Sequence, residues 1–261
     1  MNYLRLIIAF FWLGIMGEVA YRINFFFQLF QSLISLGVAI AGISVIFSYT
    51  STLGGWSRQE ILALVGVYIL VGGIIGLIIQ PGMEQFIASV RDGNLDFTLT
   101  KPEDAQLLIS IHRINLWSLI DIALGLGVLI TALITLGEKV GAIQAGVFIL
   151  VLVAGGITIY SFFLILATLS FWFVRIENIL TVFQSLYESG RWPISLYPGW
   201  LRYGLTFVIP VAFATTVPAE ALTGRMNWQM LVAAIVLALG LSVISRFFWR
   251  IGLRRYSGAS A

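Results

Sequence analysis

The chain has 261 residues, 59% of them hydrophobic and only 10% charged, with a net charge of +3 and a mean hydropathy of +0.99. A soluble domain carries about 25% charged residues and needs them to cover its exterior, so this composition excludes a soluble globular fold and describes an integral membrane protein. The basic residues are scattered among apolar runs, which argues against nucleic acid as a partner, and the absence of cysteine removes disulfides, thiolate metal sites and a thiol nucleophile.

Residues 3–20 are apolar nearly all round, with Arg5, Glu18 and Arg22 near the ends. The run is short of the roughly 20 residues a spanning helix needs. Phe10, Phe11 and Trp12 suit head-group depth, so 1–22 is expected as an interfacial helix on the cytoplasmic side. Its flank GEVAY is a poor signal-peptidase site, so cleavage is not expected.

Spans are expected over 25–48, with Gly37 and Ala41 at a spacing that permits close helix packing, and over 61–79, with Gly72, Gly73 and Gly76 and an exit at Pro81-Gly82. The third, 107–136, is overlong, which places His112 and Arg113 outside the membrane; His112 reads as an interfacial residue and not a proton relay. Glu138 and Lys139 form a turn before the fourth span, 142–174, which ends at Arg175. Residues 176–202 carry Glu177, Glu188, Trp192, Pro193, Tyr197, Pro198 and Trp200 and read as an interfacial elbow, with Arg175, Glu177 and Glu188 as anchors. A fifth span over 203–217, kinked at Pro210, and a sixth over 228–247 complete the pattern.

Six spans place both termini on one side. Of the 15 lysines and arginines, twelve (Arg5, Arg22, Arg91, Lys101, Arg113, Arg175, Arg191, Arg202, Arg246, Arg250, Arg254 and Arg255) fall on that side and three (Arg58, Lys139 and Arg225) on the other. The positive-inside rule makes the first side cytoplasmic in a plasma or bacterial inner membrane. The expected fold is therefore all-α: one transmembrane domain over 1–261, with six spans, the interfacial helix and a short cytoplasmic helix within 81–102.

The sequence has no GxxxxGK[ST] phosphate loop, no HExxH and no GxSxG, so neither nucleotide hydrolysis nor another enzyme activity is expected of this chain, and no catalytic or metal residue is assigned. Asp121 is the ionisable residue expected inside the membrane. Helical spacing puts Ser118 on its face and Asn115 at the edge. A carboxylate at mid-bilayer costs at least about 2.5 kcal/mol, which leaves two readings open: a substrate-path group that attracts cations, or a hydrogen-bonded tie between helices.

Within 81–102, Met83, Phe86, Ile87 and Val90 form an apolar stripe at helical spacing, with Glu84 and Arg91 outside it, and Asp92-Gly93 supplies a stop. The run DGNLDFTLTKP that follows, with Gly93, Leu95, Asp96, Leu99, Lys101 and Pro102 in a glycine-x-leucine-aspartate, leucine and basic-proline pattern, resembles the permease subunits of ATP-binding-cassette exporters of the type-2 class. RWPISLYPGWLR and FVIPVAFATTVPAEALTG resemble the same branch. The resemblance implies that Glu84, Phe86, Ile87, Val90, Arg91, Asp92, Gly93, Leu95, Asp96 and Leu99 form a coupling helix seated on a separate ABC-type ATP-binding subunit. Two copies of that subunit would hold ATP and Mg, with no cofactor in this chain. It further implies a second permease, identical or related, contact with membrane lipid, and export of an amphiphilic or cationic compound, a polysaccharide or a lipid. A membrane-embedded lipid-modifying enzyme and a channel or structural subunit are the rival readings.

Overall fold

The computed structural model describes residues 22–137, 141–173, 176 and 178–256. The expected interfacial helix, the Glu138–Lys139 turn, Arg175 and Glu177 lie outside these residues, apart from Arg22, which opens the first helix. The architecture is all-α, an integral membrane fold in which, among the described residues, five helical runs are long and apolar enough to cross a bilayer.

Helix α1 (Arg22–Tyr49) leads to a tight loop in which Leu53 and Trp56 exchange backbone hydrogen bonds across Gly54 and Gly55. Both glycines have positive φ, +57° and +81°, which the two central residues of this turn require. This loop marks one end of the bundle, the Gly55 end. Helix α2 (Arg58–Ile74) then starts in a capping box: Ser57 Oγ accepts the Glu60 N–H at 3.4 Å and Glu60 Oε2 accepts the Ser57 N–H at 2.7 Å.

Pro81 does not end this helix as the sequence suggested. A π-helical turn over Ile75–Ile79 leads directly into α3 (Gln80–Arg91), giving one run from Arg58 to Arg91. Proline has no N–H to offer the carbonyl four residues back, that of Leu77. That carbonyl instead accepts the backbone N–H of Asn115 at 2.9 Å from the following segment. Helix α3 stops at the opposite, Asp92 end: Gly93 has φ +71° and Asn94 N–H reaches the Ser89 carbonyl at 2.9 Å, a closure by a left-handed residue.

Two short helices follow, α4 (Asp96–Leu99) and α5 (Ala105–Ile111), before a 3₁₀ turn (Leu116–Ser118) and α6 (Leu119–Leu136). The expected third span is thus broken at 112–115, where Asn115 leaves helical geometry to reach Leu77 and to cap the 3₁₀ turn. Helices α2 and α6 approach with backbones in contact. A Cβ on Gly125 would lie 2.5 Å from Leu70 N, and one on Gly66 2.9 Å from Leu129 N. Glycine at such positions gives helices in lipid their closest van der Waals contact.

Helix α7 (Ala142–Thr168, extended by a 3₁₀ turn to Phe171) returns to the Asp92 end. There Phe171, Phe86 of α3 and Trp249 of the last helix, α12 (Trp228–Leu253), form an aromatic cluster with centroid separations of 5.1–5.8 Å. Phe86, Ile87 and Met83 are buried in this core.

The described part of 176–202 departs from the expected elbow. Helix α8 (Ile179–Tyr187) starts beside the end of α7 and climbs: Phe183 packs on Phe163 at 4.5 Å, and Tyr187 stacks on Tyr68 at 5.0 Å. Leu196 then lies against Gly54, where a Cβ would come within 2.5 Å of it. This stretch is the fifth passage between the two ends. The apolar segment after it, expected as a fifth span, is a bent pair at 67°, Gly199–Val208, which opens with α9 (Gly199–Tyr203), and Val211–Leu222, made of α10 (Val211–Ala214) and α11 (Thr216–Leu222). It begins beside the Gly55 loop and finishes there, because Arg225 donates to the Gly55 carbonyl at 2.7 Å and to Glu60 Oε2 at 3.0 Å. Its tip packs on Gly155, whose Cβ would meet the Phe213 carbonyl at 2.6 Å, about 20 Å along α7 from Ala142 at 1.5 Å per residue. The pair is therefore re-entrant. Ile209 is driven out of helical space (φ −121°, ψ 93°) by Pro210.

Irregular backbone at membrane depth must find internal partners. Here Tyr197 donates its hydroxyl to the Ser189 carbonyl at 2.9 Å, Thr216 Oγ1 accepts the Ile194 N–H at 3.3 Å, and Arg202 donates to the Ser195 and Tyr197 carbonyls at 2.7 and 3.3 Å.

The α2–α6 contact yields a paired expectation. Gly125→Val places side-chain atoms against Leu70 backbone and costs about 3 kcal/mol, read as a lower melting temperature of the protein in lipid nanodiscs. Gly127→Ala, which points into open space, leaves the melting temperature unchanged.

Candidate functional site

Polar residues recur along the first half of α1 at Gln28, Gln31, Ser32 and Ser35, one face of a helix that is otherwise apolar. That face closes one side of a cavity of about 490 Å³ whose other walls come from α2, α6 and α8. The amides and hydroxyls gather toward the Asp92 end, with Gln80 from α3, Asp121 from α6, and Thr181, Gln184 and Ser185 from α8. Leu36, Ala39, Val65, Ile69 and Leu124 form the wall one to two turns closer to the Gly55 end. At Tyr68, Arg191 lies over the ring at 5.3 Å and donates to its hydroxyl at 3.4 Å, while Tyr187 donates to the Tyr68 carbonyl at 2.8 Å.

Of the three residues expected on a substrate path, only Asp121 reaches this cavity. Its carboxylate accepts the Ser32 hydroxyl at 2.5 Å on one oxygen and the Gln28 amide at 3.1 Å on the other. It sits in the first turn of α6, where the helix start favours negative charge. The geometry is that of a tie between helices, and the same group lines the cavity. Ser118 is buried against Gly76, where a Cβ would meet its Oγ at 2.8 Å. Asn115 is spent on backbone: its Oδ1 accepts the Trp117 N–H at 3.3 Å. Glu188, expected as an interfacial anchor, lines the cavity instead, as does Arg191. Gln28, Gln31, Ser35 and Gln184 were not singled out from sequence, although the spacing of 28, 31, 32 and 35 within an apolar span was the available signal.

At the Asp92 end the residues expected to dock on a partner divide. Phe86, Ile87 and Leu95 are 1%, 4% and 0% exposed, and Val90 and Leu99 pack partly against the same core. Their side chains serve this chain's own packing and offer no docking surface. Glu84, Arg91 and Asp92 are exposed, and Gly93 and Asp96 are half-buried. Phe97 stands out at 74% exposed, on the opposite side of α4 from Leu95. The loop behind it is anchored to α12. Arg246 pairs with both oxygens of Asp104 and donates to Gln106, while Asp104 also caps α5 through the Gln106 and Leu107 N–H groups at 2.9 and 3.3 Å. The Arg246 hydrogen bond, reinforced by the α5 amides against some burial, holds the Asp104 carboxyl below its ordinary value. Burial and then Lys101 lower His112. Among the described residues no group of three histidine, cysteine or acidic side chains is placed to hold a metal.

Five described helical runs able to cross a membrane, a polar cavity between them, one helix running from that cavity to an exposed loop, and a re-entrant pair at the far end accord with the family match: the model described as ABC-2 family transporter protein covers residues 33–260. The chain belongs to the ABC-2 transporter family. No curated protein matches it. As an ABC-2 protein it is a membrane component of a transporter and not its catalytic part.

Substitutions at two positions read these contacts. Asp121→Leu strands the Gln28 and Ser32 donors and lowers stability by about 1 kcal/mol, typical of hydrogen bonds between helices in lipid, whereas Asp121→Asn, which still accepts, melts near wild type in nanodiscs. Asp104→Asn keeps the cap but loses the charge pair. Both partners are over a third exposed, 37% and 39%, so solvent screening limits the loss to about 0.5–1 kcal/mol. Because the folded-state value is depressed, the wild-type advantage is full above the unfolded value of about 3.9. It declines as pH falls below that and is gone beneath the folded-state value, as melting curves across pH 3 to 7 would register.

Proposed function

We propose that this ABC-2 permease is the membrane half-unit of an ATP-driven exporter, working as a homo- or heterodimer with two copies of a separate ATP-binding subunit that carry ATP and Mg. The observation that carries this reading is the single helical run from Arg58 to Arg91, which lines the cavity through Tyr68, Gly72, Gly76 and Gln80 and ends beneath the exposed Phe97 loop. A push at the Asp92 end is transmitted along it as a rigid tilt. Continuity on the other side is lost at 112–115, so the coupling favoured here runs through the second span and not through both neighbouring spans.

The docking face comprises Glu84, Arg91, Asp92, Gly93, Asp96 and Phe97, with Phe97 as the anchor that enters a partner groove. The Asp92 end is cytoplasmic in a plasma or bacterial inner membrane. Placing Arg202 at the Gly55 end and Arg191 within the fifth passage reduces the basic bias without reversing it, since Arg91, Lys101, Arg113, Arg246, Arg250, Arg254 and Arg255 stay at the Asp92 end. The gradient in the cavity from amide and hydroxyl groups to aliphatic wall suits an amphiphilic substrate.

Affinity purification from native membrane tests the assignment. Wild type should bring down an ATP-hydrolysing subunit; Phe97→Asp should reduce its recovery at least tenfold with an unchanged melting temperature. Recovery of no ATPase with wild type, or recovery insensitive to Phe97→Asp together with Glu84→Lys, would overturn the coupling assignment.

A further inference from the structure

We propose that the Asp92 end of α12 holds a phospholipid of net negative charge, with its phosphate on Arg250 and Arg254 and an acyl chain along the outward face of the same helix.

Arg91, Arg191, Arg202, Arg225 and Arg246 each donate to an acceptor within the chain. Among the described residues Arg250, Arg254 and Arg255 have no such partner, and all three are exposed. The helix cannot supply a counter-charge of its own, because no aspartate or glutamate follows Glu220 in the sequence. Asp104, the carboxylate that does reach α12, is taken by both terminal nitrogens of Arg246. Three guanidinium groups are left open at one helix end.

Their placement is defined by the two faces of α12. Ser245, Trp249 and Gly252 are buried, with Trp249 on Phe86 of α3 at 5.1 Å and Gly252 so close to Phe171 that a Cβ would lie 2.5 Å from its ring. On the other side Val232, Val236, Leu239, Val243 and Phe247 are exposed, and Arg250 and Arg254 continue this stripe at the same intervals of three or four residues. An apolar face turned to lipid therefore ends in two arginines one turn apart. The rise from Leu239 to Arg250 is about 16 Å at 1.5 Å per residue, which matches about 15 Å for the hydrocarbon of one leaflet. A chain lying along Leu239, Val243 and Phe247 brings its phosphate to Arg250 and Arg254.

Beside this pair Trp172, exposed at the end of α7, stacks on Phe248 at 5.2 Å, and Arg255 stands two turns beyond Phe248 on that side. An exposed tryptophan at this level marks head-group depth. Guanidinium groups grip phosphate oxygens in a bidentate fork, and the ammonium of a zwitterionic lipid would be brought against three like charges, so the site selects a lipid without one. Because the buried face carries Trp249 against the run that leads to the Phe97 loop, the arginines point away from that loop and toward lipid.

The full chain in phosphatidylcholine nanodiscs is irradiated with a trace of phosphatidylglycerol carrying a diazirine on its head group, and the labelled peptides are mapped. Labelling within 247–255 is expected at least tenfold above that given by the matched phosphatidylcholine probe. Unlabelled phosphatidylglycerol should displace it, and inorganic phosphate at the same concentration should not. Arg250→Gln with Arg254→Gln should lower the labelling at least tenfold while the melting temperature in pure phosphatidylcholine stays at the wild-type value, since neither side chain has a partner in the chain; Arg250→Lys with Arg254→Lys should lower it less. Arg113→Gln, at an exposed arginine of the same end, should leave it unchanged. Equal labelling by the two probes, displacement by inorganic phosphate, or labelling insensitive to the glutamine pair would overturn the proposal. So would reduced recovery of an ATP-hydrolysing subunit by the glutamine pair with labelling unchanged, which assigns the face to a protein. Should the glutamine pair melt lower, the comparison of the two probes on wild type still decides.

Discussion

The hydrogen bond from Asn115 N–H to the Leu77 carbonyl is the interaction on which the geometry of the molecule turns. Pro81 would leave that carbonyl bare in hydrocarbon, and a bare carbonyl there costs several kcal/mol. The bond lets the helix pass the proline, and it forces the next segment to interrupt its own helix at 112–115 in order to supply the donor. One interaction thus makes the second span continuous to Arg91 and the third discontinuous at the same depth.

The same logic of backbone satisfaction explains the far end. Residues 199–222 are apolar enough to cross, and hydropathy alone reads them as a span. What folds them back is a small set of polar contacts: Arg225 to Gly55 and Glu60 at the exit, Arg202 to Ser195 and Tyr197 at the entry. Glu60 closes the capping box of α2 and accepts Arg225 with the same oxygen, so the start of the second span and the end of the re-entrant pair are fixed by one carboxylate. Composition reports how much hydrocarbon a segment tolerates. It does not report whether the segment leaves on the side where it entered.

The all-α class, five of the spans and a polar loop within 81–102 were legible because they depend on apolar run length and on charge that lipid cannot solvate; the span read at 203–217 was not, since that apolar stretch belongs to a pair bent by 67°. The stripe of Met83, Phe86, Ile87 and Val90 was legible as a stripe, but not the surface that covers it. Phe171 and Trp249 lie far along the chain and cover Phe86, so the outward face passes to Phe97, an aromatic whose orientation depends on burial of Leu95 at the start of a four-residue helix.

 Leu95, fully buried, takes the inner side of that turn and leaves Phe97 the outer one. Asp121 was legible as a costly carboxylate. Its partners Gln28 and Ser32 were not, since they sit 93 and 89 positions away and only the packing of α1 on α6 brings them together.

The cavity and the Asp92 end share a wall. Tyr68, Gly72, Gly76 and Gln80 belong to the run that ends at Arg91, whereas Asp121 and Leu124 belong to α6, which is separated from the loop by the break at 112–115. On the coupling proposed above, a displacement of the Asp92 end would carry the first set directly, and the second only through the glycine contacts of Gly66, Gly73 and Gly125. Those contacts are backbone to backbone and permit sliding with little rearrangement of side chains. The α8 side resists the same motion, because Tyr187 is stacked on Tyr68 and bonded to its carbonyl. On that proposal, motion of α2 would pass to α8, while α6 and α1, joined through Asp121, would form the wall against which the pair moves. The two readings of Asp121 meet here: the tie to Gln28 and Ser32 holds the amide-bearing face of α1 in register with the cavity that Asp121 itself lines.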